Sequence, residues 1–266
     1  MTAPLRAGLA SPAESLEGRR ALVTGAASGI GEAIADRLAA LGARVTLADV
    51  DADGLEAAAE RISRGATGEI DTWRVDLLDT DALAGRELDV DILVNNAGIQ
   101  RVSPLETFPP EEFRRILALM LEAPFLLIRA ALPAMYARGW GRIVNVSSVH
   151  GLRASPFKAA YVSAKHGLEG LSKVTALEGG PHGVTSNCVS PGYVRTPLVE
   201  RQIADQAAAH GIAEDEVLER VMLTESAIKR LVEPAEVASL VAWLASPAAA
   251  MVTGASYTMD GGWSAR

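Results

Sequence analysis

The sequence has one cysteine and few aromatic residues, and each scarcity excludes a class of protein. With Cys188 as the single cysteine among 266 residues, an internal disulfide and a multi-cysteine zinc site are both excluded. Cys188 lies in an apolar run, which favours a packed thiol over a nucleophile. Aromatic residues make up 5% of the chain, so the core must be built from Ala, Val, Leu and Ile.

Positive charge is also scarce. The net charge is −8, and no Lys/Arg run appears, so the chain is unsuited to a polyanion, although a small anion needs only a local cluster. The most apolar stretch, residues 116–135, is interrupted by Glu, Arg and two Pro, and the N-terminus lacks an apolar signal core. We therefore expect a cytoplasmic protein with no nucleic-acid partner, no membrane partner and no bound metal.

Short apolar runs alternate along the chain with longer amphipathic ones, which predicts strands and helices in turn. The predicted strands are 20–24, 43–48, 70–75, 91–95, 142–147 and 184–189. The predicted helices are 29–41, 53–63, 79–85, 110–138 and 157–178. This order predicts an α/β fold with a single doubly wound parallel sheet, Rossmann-like, with helices on both faces. Ligands of such sheets bind at the carboxyl ends of the strands.

The length allows one or two domains, and the motifs described below run through the whole chain, which favours one. We expect a flexible N-terminal tail over residues 1–17 and a single dinucleotide-binding catalytic domain over 18–266. Residues 192–233 interrupt the alternation with two polar helical segments. A segment of this length predicts a helical lid over the substrate.

A glycine-rich turn, Thr24–Gly31, follows the first predicted strand. Its glycines, Gly25, Gly29 and Gly31, allow a tight turn, a close backbone approach to a pyrophosphate and close packing of the following helix. The helix N-terminus would face the phosphates with free N–H groups. Because the turn lies between a strand and a helix, it indicates a dinucleotide site and not merely a structural turn.

An acidic residue, Asp49, stands at the end of the second predicted strand. Its carboxylate can accept hydrogen bonds from the adenosine ribose and would repel a 2′-phosphate, and Ser28 occupies a place where a basic residue could have met that phosphate. These positions favour NAD over NADP as the cofactor. The alternative is that Asp49 only caps the next turn.

Tyr161 and Lys165 are four residues apart on a predicted helix, so their side chains share a face. The ordinary pKa of tyrosine, near 10, is too high for a base at neutral pH, and a nearby ammonium would lower it. Tyr161 is therefore a candidate general acid and base. Ser148, at the end of the fifth predicted strand, lies thirteen residues earlier.

Together these motifs resemble the classical short-chain dehydrogenase/reductase family from about Gly18 onward. The resemblance rests on Thr24–Gly31, Asp76-Leu77, Asn95-Asn96-Ala97-Gly98, Ser148, Tyr161 with Lys165, and Pro191-Gly192. It implies that Ser148 polarises the substrate oxygen, that Tyr161 exchanges its proton, and that Lys165 lowers the tyrosine pKa while holding the nicotinamide ribose. It also implies a homotetramer built through 110–138 and 157–178. The cofactor contacts it implies are Gly25, Ser28, Gly29, Ile30, Gly31, Asp49, Asp76, Leu77, Asn96, Gly98, Tyr161, Lys165, Pro191, Val194 and Thr196.

One subgroup of the family, which oxidises (R)-3-hydroxybutyrate to acetoacetate with formation of NADH, is similar in further segments, including Ser148–Leu152 and Pro191–Glu200. That similarity implies a small anionic hydroxy or keto acid as substrate, bound by Gln100, Ser148, His150, Lys158, Tyr161 and Gln202. One ammonium, one imidazole and two amides could surround a carboxylate. Lys158 or Gln202 taken alone would more often be a solvated surface side chain.

The chain departs from the family pattern at Met120, where members carry an asparagine that holds a water linking the lysine to solvent. A thioether is a poor substitute, so we expect slower turnover than Met120→Asn would give, with cofactor binding intact. Two alternatives stay open: a dehydrogenase of keto-sugar acids or 3-oxoacyl substrates, and a catalytically weak NAD-binding scaffold. Intact Ser148, Tyr161 and Lys165 argue against the scaffold.

Overall fold

A computed structural model describes residues 14–197, 199–200, 203, 207 and 212–265. Its centre is a sheet of seven parallel strands among these residues, in the order β3-β2-β1-β4-β5-β6-β7. The strands are β1 Arg20–Thr24, β2 Arg44–Asp49, β3 Ile70–Arg74, β4 Ile92–Asn95, β5 Gly141–Val146, β6 Val184–Pro191 and β7 Ser256–Met259. The inner strands β4, β5 and β6 are buried at every position, as expected where helices cover both faces.

Helices connect successive strands and cover the two faces of the sheet. They are α1 Gly29–Ala40, α2 Ala52–Ser63, α3 Thr80–Ala84, α4 Pro110–Leu117, α5 Ala123–Arg138, α6 Ala159–Gly179, α7 Glu214–Val217 and α8 Pro234–Ala245. Apolar residues of α1, α2 and α8 form the core on one face. Those of α5, together with Leu83 of α3, form the core on the other. The predicted α/β fold with a single doubly wound parallel sheet is therefore confirmed.

The C-terminal part of the chain adds two elements that the sequence patterns did not predict. Helix α8 packs against α1, and strand β7 extends the sheet beyond β6. Strand β7 has only four residues, Ser-Tyr-Thr-Met, without the apolar run of a buried strand, because it pairs on one side only and lies at the sheet edge. Its identity as a strand depends on its hydrogen bonds with β6.

The folded part of the chain begins before the predicted boundary at Gly18. The Leu16 side chain is completely buried in the core, and its N–H donates to the Leu41 carbonyl at 2.9 Å. The predicted tail therefore extends too far, because an apolar side chain anchors its last residues. Residues 1–13 lie outside the described part of the chain.

The predicted lid segment has a small core of its own. Ile203, Val217, Met222, Leu223 and Leu231 are buried together. A backbone hydrogen bond of 2.8 Å from Arg195 N–H to the Val232 carbonyl brings the two ends of the segment together. Gln202, a predicted substrate residue, lies outside the described residues. Closure of the segment over a substrate stays a prediction.

A π-helical turn, Ala118–Glu122, joins α4 to α5, so that Pro110–Arg138 forms one long helix. By length and composition this helix could cross a membrane, with a mean hydropathy of 1.8 in its most apolar window. Within that window 44% is buried inside the fold, where α5 packs against β4, β5 and α6, as a core helix does. Single-turn π bulges inside α-helices are frequent at functional sites.

Candidate active site

A cleft of about 630 Å³ opens at the carboxyl ends of the strands. The strand order reverses between β1 and β4, and a crevice forms at such a switch point because neighbouring connections leave toward opposite faces. Most of the predicted site residues line it. They are Gly25, Ser28, Gly29, Ile30, Asp49, Asn96, Gly98, Gln100, Ser148, His150, Lys158, Tyr161, Lys165, Pro191, Val194 and Thr196.

Three predicted cofactor residues do not line the cleft. Gly31 is buried at the start of α1, and the Leu77 side chain packs in the core. The Asp76 carboxylate accepts a hydrogen bond of 2.9 Å from the Leu78 N–H. Contacts of these residues with a cofactor stay predictions.

The glycine-rich turn has the conformation that its residues require. Gly25 and Gly29 have φ angles of 64° and 61°, in the left-handed region that favours glycine. A Cβ on Gly31 would lie 2.1 Å from the Gly25 carbonyl oxygen, so only glycine lets helix and turn pack this closely. Ser28 begins α1 without a side-chain cap, which leaves the first N–H groups of the helix free to bind phosphate. The turn therefore fits the pyrophosphate of a dinucleotide.

Asp49 is held at the edge of the cleft by backbone donors. Its Oδ1 accepts hydrogen bonds from the N–H groups of Val50 and Asp51 at 2.7 and 3.1 Å, and its Oδ2 accepts one from Ala27 at 3.2 Å. The alternative role, in which Asp49 orders the turn, is thus present in the structure. A carboxylate oriented in this way can also accept hydrogen bonds from ribose hydroxyls.

Asn96 ties the β4 loop to the β1 loop. Its Nδ2 donates to the Thr24 and Gly25 carbonyls at 2.9 and 3.2 Å, and the Thr24 hydroxyl accepts the Asn96 and Ala97 N–H groups at 3.0 and 3.1 Å. These bonds fix the shape of the cleft wall. The amide donor of Asn96 is therefore used within the chain.

Ser148 and Tyr161 bring two hydroxyls together at the centre of the cleft. The Ser148 Oγ accepts the His150 N–H at 3.2 Å and is hydrogen-bonded to Tyr161. Burial raises the pKa of Tyr161, and the hydrogen bond with Ser148 opposes that rise. The net direction is a rise, because burial outweighs that hydrogen bond, and the lowering by Lys165 that the family resemblance implied stays a prediction.

Lys165 is buried behind Tyr161. Its Nζ donates to the Val146 carbonyl at 2.6 Å. Burial lowers the pKa of Lys165 to about 8, although the charge of Glu169 opposes that fall. The ammonium is thus held in one place, where a small change in its surroundings alters its protonation near neutral pH.

His150 and Lys158 form a basic pair at the other side of Ser148. Lys158 Nζ lies 3.1 Å from His150 Nε2. Burial lowers the pKa of His150 to about 4, with the charge of Lys158 adding to the effect, and burial lowers the pKa of Lys158 as well. No carboxylate of the described chain forms an ion pair with Lys158. Two nitrogen groups without an anionic partner can bind a small anion.

The backbone beside Lys158 is strained. Phe157 has a φ angle of 67° and is the single non-glycine residue in the left-handed region among the residues described. Its carbonyl accepts the Ser103 N–H at 2.9 Å, which ties this turn to the loop that follows Gln100. Strain of this kind occurs at ligand-binding sites, where the surrounding structure enforces it.

Several cleft residues were not predicted as site residues. The ring of Trp263 meets the His150 ring edge to face at 5.7 Å, and the Asp260 carboxylate accepts the Gly262 and Ser264 N–H groups at 2.9 Å each to hold that turn. Tyr193 and Met222 add apolar surface. An Asp-Gly-Gly turn at the end of the sequence was a usable signal for Trp263, whereas nothing in the local pattern marks Met222.

Met120 lines the cleft from the π-helical turn and is almost fully buried. Its Cε and Sδ would lie 3.4 and 3.6 Å from a Cβ on Gly98, and it packs in one cluster with Ile116, Ala160 and Ala164. An apolar side chain therefore occupies the wall beside Tyr161.

Known proteins resemble this chain over nearly its whole length. The family model described as enoyl-(acyl carrier protein) reductase matches residues 25–264. The D-beta-hydroxybutyrate dehydrogenase of Rhizobium meliloti is 45% identical over 256 residues, covering 93% of this chain and 99% of the relative. The enzyme of the same name from Cupriavidus necator is 44% identical over 257 residues, covering 94% and 100%.

Among solved structures, L-sorbose reductase from Gluconobacter frateurii, complexed with NADPH and L-sorbose, has a TM-score of 0.89 and 28% identity. The match covers 96% of this chain and 99% of that chain. The fold and motifs described above are therefore shared with dehydrogenases and reductases that act on several substrates.

Proposed function

The chain belongs to the short-chain dehydrogenase/reductase family, and we propose that it oxidises (R)-3-hydroxybutyrate, or a similarly short 3-hydroxy acid, to the 3-keto acid with NAD. It is an oxidoreductase of a family that uses nicotinamide cofactors. The observation on which the substrate proposal rests is the pair of Lys158 Nζ and His150 Nε2, 3.1 Å apart, facing the cleft beside Ser148 and without a carboxylate partner among the described residues.

The basic pair would bind the substrate carboxylate and thereby position the hydroxyl carbon. Lys158 supplies a positive charge in a half-buried place, where it attracts an anion more strongly than at an exposed surface. His150, neutral at pH 7 because its pKa is about 4, supplies a hydrogen-bonding nitrogen. Gln100 lines the same cleft and offers a further amide donor.

The hydroxyl pair would carry out the proton transfer. Ser148 donates a hydrogen bond to the substrate oxygen, and Tyr161 accepts the hydroxyl proton during oxidation and returns it during reduction. When bound, the nicotinamide supplies the acceptor for the hydride from C3. Lys165, 5.7 Å from the centre of the tyrosine ring, stabilises the phenolate form of Tyr161 that accepts this proton and that burial by itself disfavours.

Asp49 supports NAD as the cofactor. Its carboxylate lines the cleft just past β2 and is held there by three backbone N–H groups, so it cannot easily turn away from a 2′-phosphate. A second candidate function, reduction of a keto sugar with NADPH, is favoured by the structural likeness to L-sorbose reductase. The basic pair distinguishes the two, because a sugar has no carboxylate to bind.

The experiment compares substrates with and without the carboxylate by following NADH absorbance. We expect oxidation of (R)-3-hydroxybutyrate with NAD and little oxidation of the isosteric amide, 3-hydroxybutyramide. In Lys158→Met, KM for the acid should rise about 30-fold, since a hydrogen bond to a charged group contributes roughly 2 kcal/mol, while KM for NAD stays constant.

Lys173→Met is the matched control, because Lys173 is an exposed lysine on α6, the helix that begins directly after Lys158. Faster turnover of sorbose or a sugar acid with NADPH than of the hydroxy acid with NAD would contradict the proposal. An equal KM for the acid in Lys158→Met and its parent would contradict the role of the basic pair.

We further propose that the enzyme works as a homotetramer in the cytoplasm. Neighbouring helices α5 and α6 leave Phe125, Val174 and Leu177 exposed, and Leu177 is 80% accessible in a single copy. Exposed apolar side chains on a pair of long helices are typical of a surface that pairs with another copy. Light scattering after gel filtration measures the mass, and a monomer at micromolar concentration would contradict this assembly.

A further inference from the structure

A polar seam lies behind the active site, between α6 and the strands β6 and β7. Positions 161, 165 and 169 of α6 are four residues apart and share the face directed toward β6. Glu169 on that face is buried, with 4% of its surface accessible. Nothing in the proposed reaction uses this carboxylate, and a buried carboxylate requires partners.

Two serine hydroxyls donate to Glu169. Its Oε1 accepts hydrogen bonds from Ser190 Oγ on β6 at 2.9 Å and from Ser256 Oγ on β7 at 3.1 Å. The two hydroxyls are also 2.9 Å from each other, which fixes their positions. Hydrogen bonds donated to a carboxylate stabilise its ionised form. The two hydroxyls are therefore the hydrogen-bond partners that the buried Glu169 carboxylate requires.

Lys165 lies one helical turn earlier on the same face of α6, and the charge of Glu169 acts to raise its pKa. The titratable groups facing Lys165 are Tyr161 and Glu169 on α6 and Cys188 on β6. Strand β5 presents the Val146 carbonyl, which accepts the ammonium. Burial raises the pKa of Cys188, so its thiol is neutral at physiological pH. Glu169 is thus the anion that faces Lys165 within the described chain.

We propose that Glu169 is a positioning residue whose negative charge keeps Lys165 protonated beside Tyr161. Lys165 is taken out of water, and one carbonyl oxygen does not compensate an ammonium fully. The negative charge on Glu169 compensates the remaining positive charge of the Lys165 ammonium. The charge of Glu169 matters more in this chain because Met120 contributes no polar group to the cleft wall near Tyr161.

The test replaces Glu169 by glutamine, which keeps an oxygen acceptor for both serines and removes the charge. Without the charge, Lys165 loses its proton at lower pH, so the kcat ratio of Glu169→Gln to its parent should decrease as the pH rises. We expect this kcat ratio to be near one at pH 6 and about tenfold lower at pH 9. The alkaline limb of the kcat–pH profile should lie about one pH unit lower in the variant, as for loss of one nearby charge.

Two further variants separate charge from packing. Ser172→Ala breaks the 2.9 Å hydroxyl contact with Ser186 in the same region without changing any charge, and its kcat ratio should be the same at every pH. Ser256→Ala removes one donor from Glu169 but leaves its charge, so the alkaline limb of its kcat–pH profile should stay close to that of the parent. A loss in Glu169→Gln that is equal at all pH values would overturn the proposal.

A stability measurement tests the inference without any substrate. Because the pKa of Lys165 is about 8 in the folded chain and 10.5 as a free side chain, the unfolded chain binds more protons between these values, and stability contributed by this group rises with pH there. In Glu169→Gln that rise should begin about one pH unit lower. The difference in urea midpoint between parent and variant should therefore shrink between pH 7 and 8.

The kinetic test of Glu169 rests on the proposed function, whereas the stability test does not. The role of Glu169 and the proposed function can therefore fail separately. Absence of NADH formation by the parent with every 3-hydroxy acid would refute the proposed function and leave the stability test in force. A stability difference that is constant from pH 6 to pH 9 would refute the role of Glu169, whatever the substrate.

Discussion

Replacing Met120 by asparagine should raise turnover and lower stability. The methionine is buried against Gly98 and packs in one cluster with Ile116, Ala160 and Ala164, so the smaller polar side chain loses contacts on several sides. Removing a buried methionine costs about 2 kcal/mol of burial, and a partly unpaired amide costs roughly 1–2 kcal/mol more. We expect the free energy of unfolding to decrease by about 3–4 kcal/mol in total.

The gain in turnover comes from the amide itself. An amide at position 120 can hold a water within the cleft, through which a proton leaves the buried Tyr161 and Lys165 pair, and general acid–base steps contribute 10²–10⁴-fold in enzymes. Recovery of part of that contribution should raise kcat about tenfold, with KM for NAD unchanged. Stopped-flow and steady-state NADH absorbance give kcat, and urea unfolding gives the stability.

Met120→Leu is the control, because it conserves volume and adds no polar group. It should change stability by less than about 1.5 kcal/mol and leave kcat unchanged. The reasoning is refuted if the asparagine and methionine proteins turn over at the same rate. In that case the proton leaves by a route that does not pass position 120.

Three other predictions follow from the geometry of the cleft. Phe157→Gly should stabilise the chain by about 1 kcal/mol in urea unfolding, because it relieves a left-handed backbone, whereas Phe157→Ala should not. On folding, the pKa of His150 falls from 6.5 to about 4, so the parent should lose up to about 3 kcal/mol of stability as the pH falls from 6.5 through 4. His150→Gln should remove this loss of stability in acid. An equal pH dependence of stability in both proteins would contradict this. Asp49→Ser should lower KM for NADP relative to that for NAD by about tenfold, measured by initial rates, and an unchanged ratio would show that Asp49 only orders its turn.

The sequence was sufficient for features that depend on local pattern. The glycine turn between β1 and α1 was predicted because glycine, having no Cβ, favours the left-handed backbone angles found at Gly25 and Gly29. The shared face of Tyr161 and Lys165 follows from helical periodicity alone. Five of the six strands predicted from apolar runs are inner strands of the sheet, where burial requires such runs, whereas the sixth, β3, is an edge strand with no buried residue.

The tertiary structure decided what depends on distance and burial. No spacing in the sequence indicates that Lys158 Nζ lies 3.1 Å from His150 Nε2, or that Trp263, 113 residues beyond His150, packs on its ring at 5.7 Å. The burial that raises the pKa of Tyr161 could not be inferred from the sequence either, because desolvation depends on everything packed around a group. The pattern of residues along the sequence therefore determines the fold and the candidate chemistry. The charge states of the site residues and the substrate pocket arise only in the tertiary structure, where segments distant in sequence pack together and exclude water.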